Sequence, residues 1–437
     1  MVKVDAKLAA VGGCARFGWD DGYLLGPAAQ VYEALETFSR EVEEECGLVL
    51  QRCKTEVFTW EDDLADVPPG LVQAGQQVQG HWEPGMICYS IPIGSDKYVA
   101  QKLEEKVSEI VGEVEAVCEV LQEGHQALWA VLRSSVSQKL DYWLTLVYPS
   151  QVRIAAARMD SLQIKVMEIL LGMKIPLQGE ELGWDCPLTL PIDNLDGRSF
   201  QQWVMRQPVK SGGCGLRSHV ETSHAAFLGG LEQAVPHFTG EGGICPQLEG
   251  VVGDWTMAQE DTRWQHLLQS GCRTGVELAQ SWSTLQTEAR QCSIFLDQEL
   301  VGPLAAEVQG IGNGSVDGST RRAVVQQREE FRGAVMTEAL GRLGNSAAKA
   351  PKAWANRDRL SSSWLQCLPG PDGLNNAAFS EALALLLCTS SPACKDRVGA
   401  RVGIKTVDIY GDSIGSFRPE WYCTLHCDGF FRKFQNI

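Results

Sequence analysis

The chain has 437 residues, enough for about two or three domains that each bury a core. Hydrophobic residues make up 44% and charged residues 21%, ordinary for globular protein, and no run of about 18 apolar residues predicts a transmembrane helix. A net charge of −17 argues against indiscriminate nucleic-acid binding as a function, because phosphate affinity comes from Lys and Arg. The charge is uneven. Residues 1–125 hold 9 Lys/Arg against 23 Asp/Glu, whereas residues 321–359 hold 9 basic residues against 4 acidic ones. That basic stretch reads either as a nucleic-acid contact or as a solvated helix and linker. The 15 cysteines run from Cys14 to Cys427 without regular spacing. Scattered reduced thiols in an intracellular protein, cytoplasmic or nuclear, are the better reading than a disulfide framework. The start, Met1 to Lys7, lacks the apolar core of a secretory signal.

Along the chain, residues 14–19 and 23–25 predict two short apolar strands flanking Asp20-Asp21. Pro27 sits near a helix start, Val31, Leu35, Phe38 and Val42 recur at helical spacing, and Gly47 is placed for a left-handed stop. Leu48-Val49-Leu50 and Val57-Phe58 read as strands, Asp62 to His81 as a surface loop, and Ile87 to Ile93 as a strand. Helices are expected next. Leu103, Val107, Ile110, Val114, Val117 and Leu121 form one stripe, and Val152, Ala155, Met159, Leu162, Val166 and Ile169 form another that stops at Gly172. Ala127 to Val147 predicts a third helix between them. Ser211 to Ser218 is a Gly-rich turn without the P-loop lysine or dinucleotide spacing, so a tight turn before a buried helix is expected. Gly310 to Thr320 reads as a linker.

In this order, these segments resemble the reverse transcriptases of non-LTR-type retrotransposons, specifically the part from the central palm motif onward. Gly18-Trp19-Asp20-Asp21, followed by Gly22-Tyr23-Leu24-Leu25-Gly26-Pro27, is similar to the aromatic-x-Asp-Asp box, with Gly18 at the aromatic position and Trp19 at the small one. Gly47 to Leu50 with Lys54 to Phe58 resembles the next palm motif, and Ile91-Pro92-Ile93-Gly94-Ser95 the primer grip. Leu140 to Leu144 with Tyr148-Pro149 resembles the thumb-side helical region, and Gly212 to Ser218 with its Ala-Ala-Phe helix is similar to a recurrent element downstream of it. Trp364-Leu365, Leu368-Pro369, Ser391 to Cys394 and Val407 to Asp412 resemble a C-terminal region of some such elements, with Leu425-His426-Cys427-Asp428 standing where Arg-His-Asp is usual.

The resemblance implies an α+β fold in four parts: a partial palm over 1–97, a helical thumb-like domain over 98–240, a helical region and linker over 241–320, and a C-terminal extension over 321–437. It also implies RNA-directed DNA synthesis, with RNA template and DNA primer as partners and no membrane. Two magnesium ions about 3.5–4 Å apart would activate the primer hydroxyl and the nucleotide phosphate. By family position Asp20 is the metal ligand, Asp21 its neighbour, and Lys54 the partner of the leaving pyrophosphate. Such a site needs a further carboxylate from an earlier strand. Asp5 is the one carboxylate before the pair, outside an apolar strand, so an N-terminally truncated, inactive fragment is expected. The alternatives are a non-catalytic nucleic-acid-binding or interaction protein using residues 133–165 and 321–359, or a retroelement relic without function. Cys388, Cys394, Cys423 and His426 are a weak zinc set, because five residues separate the first two where two to four are usual. Buried thiols are the expectation.

Overall fold

A computed structural model describes residues 2–18, 21–59, 67–175, 200–209, 212–239, 273–296, 363–366, 373–387, 389, 391–402 and 405–406. Within them the chain divides into two compact units, 1–106 with 234–249, and 107–233 with 250–437. Helices dominate and the sheets are small and mostly antiparallel, an α+β architecture. No helix among the described residues is long and apolar enough to cross a membrane.

The first unit opens with α1 (Val2–Ala9), then a hairpin of β1 (Cys14–Gly18) and β2 (Asp21–Leu25), then α2 (Ala28–Cys46). Val4 and Leu8 of α1 are fully buried with Ala15 and Ala34, and Phe17, Leu24, Val31 and Phe38 pack around them. The helical spacing after Pro27 thus serves one purpose: it turns Val31 and Phe38 of α2 onto the hairpin. The helix stops where expected, at Gly47 with φ 67°, where the Gly47 N–H returns to the Glu43 carbonyl and the Leu48 N–H to that of Val42.

Beyond that cap the expected strand at Leu48 to Leu50 does not form. Leu48 and Val49 are 63% and 72% exposed, and the triplet pairs with no strand among the described residues. Apolar residues there find neither a ladder nor a core. A short 3-10 turn over Arg52–Lys54 leads instead to β3 (Glu56–Val57), parallel to β4 (Val72–Gln73).

The expected loop from Asp62 to His81 is partly strand, because β5 (Gly75–Val78) and β6 (His81–Cys88) form a hairpin within and beyond it. The expected single strand from Ile87 to Ile93 is a second hairpin, formed by β6 and β7 (Ile91–Gly94). Both hairpins use two-residue turns with positive φ at each central residue: Gln79 and Gly80 at 51° and 84°, Tyr89 and Ser90 at 49° and 66°. These are type I′ turns, which suit strand twist. Tyr-Ser carries no turn signature, which is why periodicity ran through it. After β7, α3 (Asp96–Val120) starts at Ser95, whose Oγ accepts the Tyr98 N–H at 3.1 Å and donates to Glu83 at 2.7 Å. Leu103 of α3 is buried, as its stripe predicts.

The second unit is helical. Val107, Ile110 and Val114 of α3 are buried, as are Val152, Ala155, Met159, Leu162 and Val166 of α6 (Pro149–Leu171), which ends at left-handed Gly172. The single helix expected over Ala127 to Val147 is broken into α4 (His125–Ser134), a 3-10 turn and α5 (Asp141–Leu146). Two serines at the break bond back to the preceding turn. Ser134 Oγ donates to the Ala130 carbonyl at 2.5 Å and Ser137 Oγ to that of Arg133 at 2.6 Å, side-chain bonds that compete with the helical ladder.

The further elements are α7 (Phe200–Arg206), α8 (His219–Thr239), α9 (Arg273–Leu296), α10 (Asn376–Leu386) and the β8–β9 pair (Arg401–Val402, Lys405–Thr406). Helix α10 packs on α4 and α6 through buried Phe379, Leu383 and Leu386. Its Ser380 Oγ donates to the Leu170 carbonyl at 2.6 Å, and the His125 N–H donates to Asn376 at 3.0 Å. Residues 376–386 of the C-terminal region are thereby built into the helical core.

Candidate functional site

The β1–β2 register sets Gly18 opposite Asp21 and Arg16 opposite Tyr23. Asp21 therefore belongs to strand β2 rather than to the turn, and its side chain is exposed. Asp20, the principal expected metal ligand, lies outside the described residues. The Tyr23 hydroxyl donates to Asp21 Oδ2 at 3.4 Å and accepts the Tyr89 N–H at 3.2 Å. The two tyrosine rings stand 4.7 Å apart, tilted by 43°, so the β6–β7 turn rests on the acidic hairpin. Burial pushes the Tyr23 phenol and the Cys88 thiol up, and the Asp21 charge adds to both shifts. Asp21, Tyr23, Cys88 and Tyr89 thus share one electrostatic neighbourhood.

Lys54 ends the 3-10 turn before β3 and is exposed. Its N–H donates to the Gln51 carbonyl at 2.9 Å, and among the described residues no ion pair joins it to Asp21. Asp5 sits on α1, where it accepts the Ala15 N–H at 2.8 Å. Ala15 pairs with Leu24, three positions along β1 from the Gly18–Asp21 pair, so Asp5 serves the opposite end of the hairpin. Among the described residues no three His, Cys, Asp or Glu side chains converge as a metal set. Magnesium demands several hard oxygens in near-octahedral array. Asp21 and the described groups around it do not by themselves supply that array, and Asp20, its neighbour in the pair, lies outside the described residues.

Of the zinc set, Cys394 is half-buried in a 3-10 turn (Pro392–Arg397), its N–H bonded to the Ser391 carbonyl at 3.1 Å. Cys388, Cys423 and His426 lie outside the described residues, as does the basic stretch 321–359. In the other basic stretch, Lys139 pairs with Glu113, and Lys165 with Glu115 at 2.8 Å.

Sequence reasoning missed one polar cluster altogether. Asp160, on α6, accepts the Ser218 hydroxyl at 2.5 Å, the His219 N–H at 2.7 Å and His219 Nδ1 at 3.1 Å, with Arg206 Nη2 at 3.8 Å. Arg206 also donates to Gln163 and to the Arg217 carbonyl. Burial would raise the Asp160 carboxyl, but Arg206 and the His219 and Ser218 bonds outweigh it and hold the group well below the usual carboxylate range. The Gly-rich turn makes this possible. Gly215 N–H donates to the Gln207 carbonyl at 2.7 Å and Leu216 N–H to that of Met205 at 3.0 Å, which pins Ser218 and His219 against α6. A charged, hydrogen-bonded carboxylate of this kind fixes the joint of α6, α7 and α8. The pairing of Asp160 with residues some 45–60 positions away left no local signal. The tight turn expected there is present, with Gly212 and Gly215 at φ 84° and 74°.

Comparison with protein-family models, curated proteins and solved structures returned no match to this chain.

Proposed function

We propose that the chain carries the second half of a retrotransposon RNA-directed DNA polymerase, from the Asp20-Asp21 hairpin through the thumb and a C-terminal extension. By itself it does not polymerise. One observation carries the reading: Tyr23 and Tyr89 join the acidic hairpin to the hairpin that resembles a primer grip. Two segments far apart in sequence, each similar to a part of one nucleotidyl-transfer site, meet in space. The helix packed behind the first hairpin and the helical unit that follows the second support the same order of parts. Template RNA, primer DNA and magnesium belong to the ancestral reaction.

Inactivity of the isolated chain rests on the use of Asp5. Its carboxylate holds α1 to β1 rather than standing beside Asp21. The alternative of a non-catalytic phosphate binder draws on residues 133–165, where Lys139 and Lys165 are engaged by glutamates of α3, and on 321–359, which lie outside the described residues. Primer extension on an RNA template with Mg²⁺ or Mn²⁺, with Asp20→Ala as control, tests the proposal. No incorporation is expected from the chain alone. Asp20-dependent incorporation would overturn the inactivity and require another carboxylate to complete the site.

A further inference from the structure

The C-terminal region meets the helical core along one side of α4. Gln126 and Trp129 stand three apart there: Gln126 Oε1 accepts the Leu374 N–H at 3.1 Å, and Trp129 Nε1 donates to the Leu365 carbonyl at 2.8 Å. The starts of two helices are joined at the same place. His125 is the first residue of α4 and Asn376 the first of α10, and the His125 N–H donates to Asn376 Oδ1. The half-buried His125 ring adds a titratable link. Its Nδ1 lies 3.2 Å from Ser380 Oγ, and that hydroxyl gives its own proton to the Leu170 carbonyl. Nδ1 therefore carries the hydrogen of the neutral ring, and Nε2 takes the second proton in acid. A cleft of about 500 Å³ lined by Glu123, His125, Gln126 and Asn376 brings water to this joint.

We propose that His125 makes the anchoring of α10 on α4 and α6 acid-sensitive: the neutral ring holds the C-terminal region on the core, and the protonated ring loosens it. Protonation breaks no bond at Nδ1. It places a positive charge in a half-buried joint between the starts of two helices, whose exposed N–H ends are themselves positive. Opening of α10 relieves that conflict by returning the ring to water. Burial pushes the His125 imidazole down from its ordinary value, and the nearby Glu123 carboxylate only partly offsets this. The other carboxylates near these contacts are engaged elsewhere: Glu381 of α10 accepts from Ser391 and the Ala393 N–H, and Glu168 of α6 pairs with Lys174. Because the folded value is depressed, the stabilisation is fully present above the unfolded value of about 6.5 and is lost as pH falls below it. The anchor does not depend on the polymerase reading.

Amide hydrogen exchange of the full chain tests it, at about pH 7.5 and 5.5 on either side of the histidine range and corrected for the intrinsic effect of pH. The Phe379 and Leu387 amides, bonded to the Asn375 and Leu383 carbonyls, should lose protection several-fold at the lower pH, while the amides of α3 keep theirs. His125→Gln keeps a donor for Ser380 without a ring that titrates, and should show equal protection of α10 at both values. Should that variant lose α10 protection already at the higher pH, NMR titration of His125 in the unsubstituted chain decides. A pKa below about 6.5 is expected, and one at or above it would overturn the proposal. Equal protection of α10 at both pH values in the unsubstituted chain, or the same loss in a folded His125→Gln, would overturn it as well.

Discussion

The Tyr23 hydroxyl takes the backbone N–H of Tyr89 at 3.2 Å, and through this phenol the turn of one hairpin sits on the strand of another. The rings add a tilted contact at 4.7 Å. Tyr23→Phe keeps the rings and removes only the hydroxyl's hydrogen bonds. It should cost about 0.5 kcal/mol, the low end for a neutral bond near the surface. Hydrogen exchange at the Tyr89 amide is the sharper measurement, since that amide should lose its protection while those of β6 keep theirs.

Removing the Asp160 carboxylate leaves Arg206 buried and unpaired. Asp160→Ala should therefore destabilise the second unit by about 3–5 kcal/mol in denaturant unfolding. The same carboxylate sets an acid limit. Its folded value is depressed, so its stabilisation is fully present above the unfolded value of about 3.9 and is lost as pH falls below it. Urea midpoints at pH 7, 4.5 and 3 should show this loss, and Asp160→Asn should remove that part of the acid dependence.

Two glycines should respond to alanine with opposite signs. A Cβ on Gly213 would stand 2.3 Å from the Gln207 carbonyl oxygen, so Gly213→Ala should cost about 1–3 kcal/mol as the turn shifts. A Cβ on Gly112, inside α3, meets nothing within 4 Å. Gly112→Ala should stabilise by about 0.8–1 kcal/mol through helix propensity. Thermal unfolding of both variants checks the contrast.

What the sequence made legible was periodic or punctuated. The stripes of α3 from Leu103 to Val114 and of α6 from Val152 to Val166, and the stops at Gly47 and Gly172, fall where spacing and left-handed glycine place them, while Ile169 at the end of the second stripe is exposed. Where structure depends on non-local partners, the reading failed. Leu48-Val49-Leu50 looks like a strand but has no ladder to join, and Tyr89-Ser90 adopts a glycine-like turn that its residue types do not announce. At the candidate site the residue types drew attention to Asp21 and Lys54. The contacts that define the neighbourhood, Tyr23 with Tyr89 and Asp5 with Ala15, connect residues whose spacing follows no local rule.

On the proposed reading, the joined hairpins descend from a surface that holds a primer end. Fluorescence anisotropy with a labelled RNA–DNA primer–template, comparing the unsubstituted chain with Tyr89→Ala, tests it most directly. Tyr89 is 48% exposed, with its ring 4.7 Å from that of Tyr23. The unsubstituted chain should bind, and Tyr89→Ala should lose about tenfold in affinity, the scale of one base–aromatic stack. Equal affinity of the two proteins, or no binding by either, would contradict it.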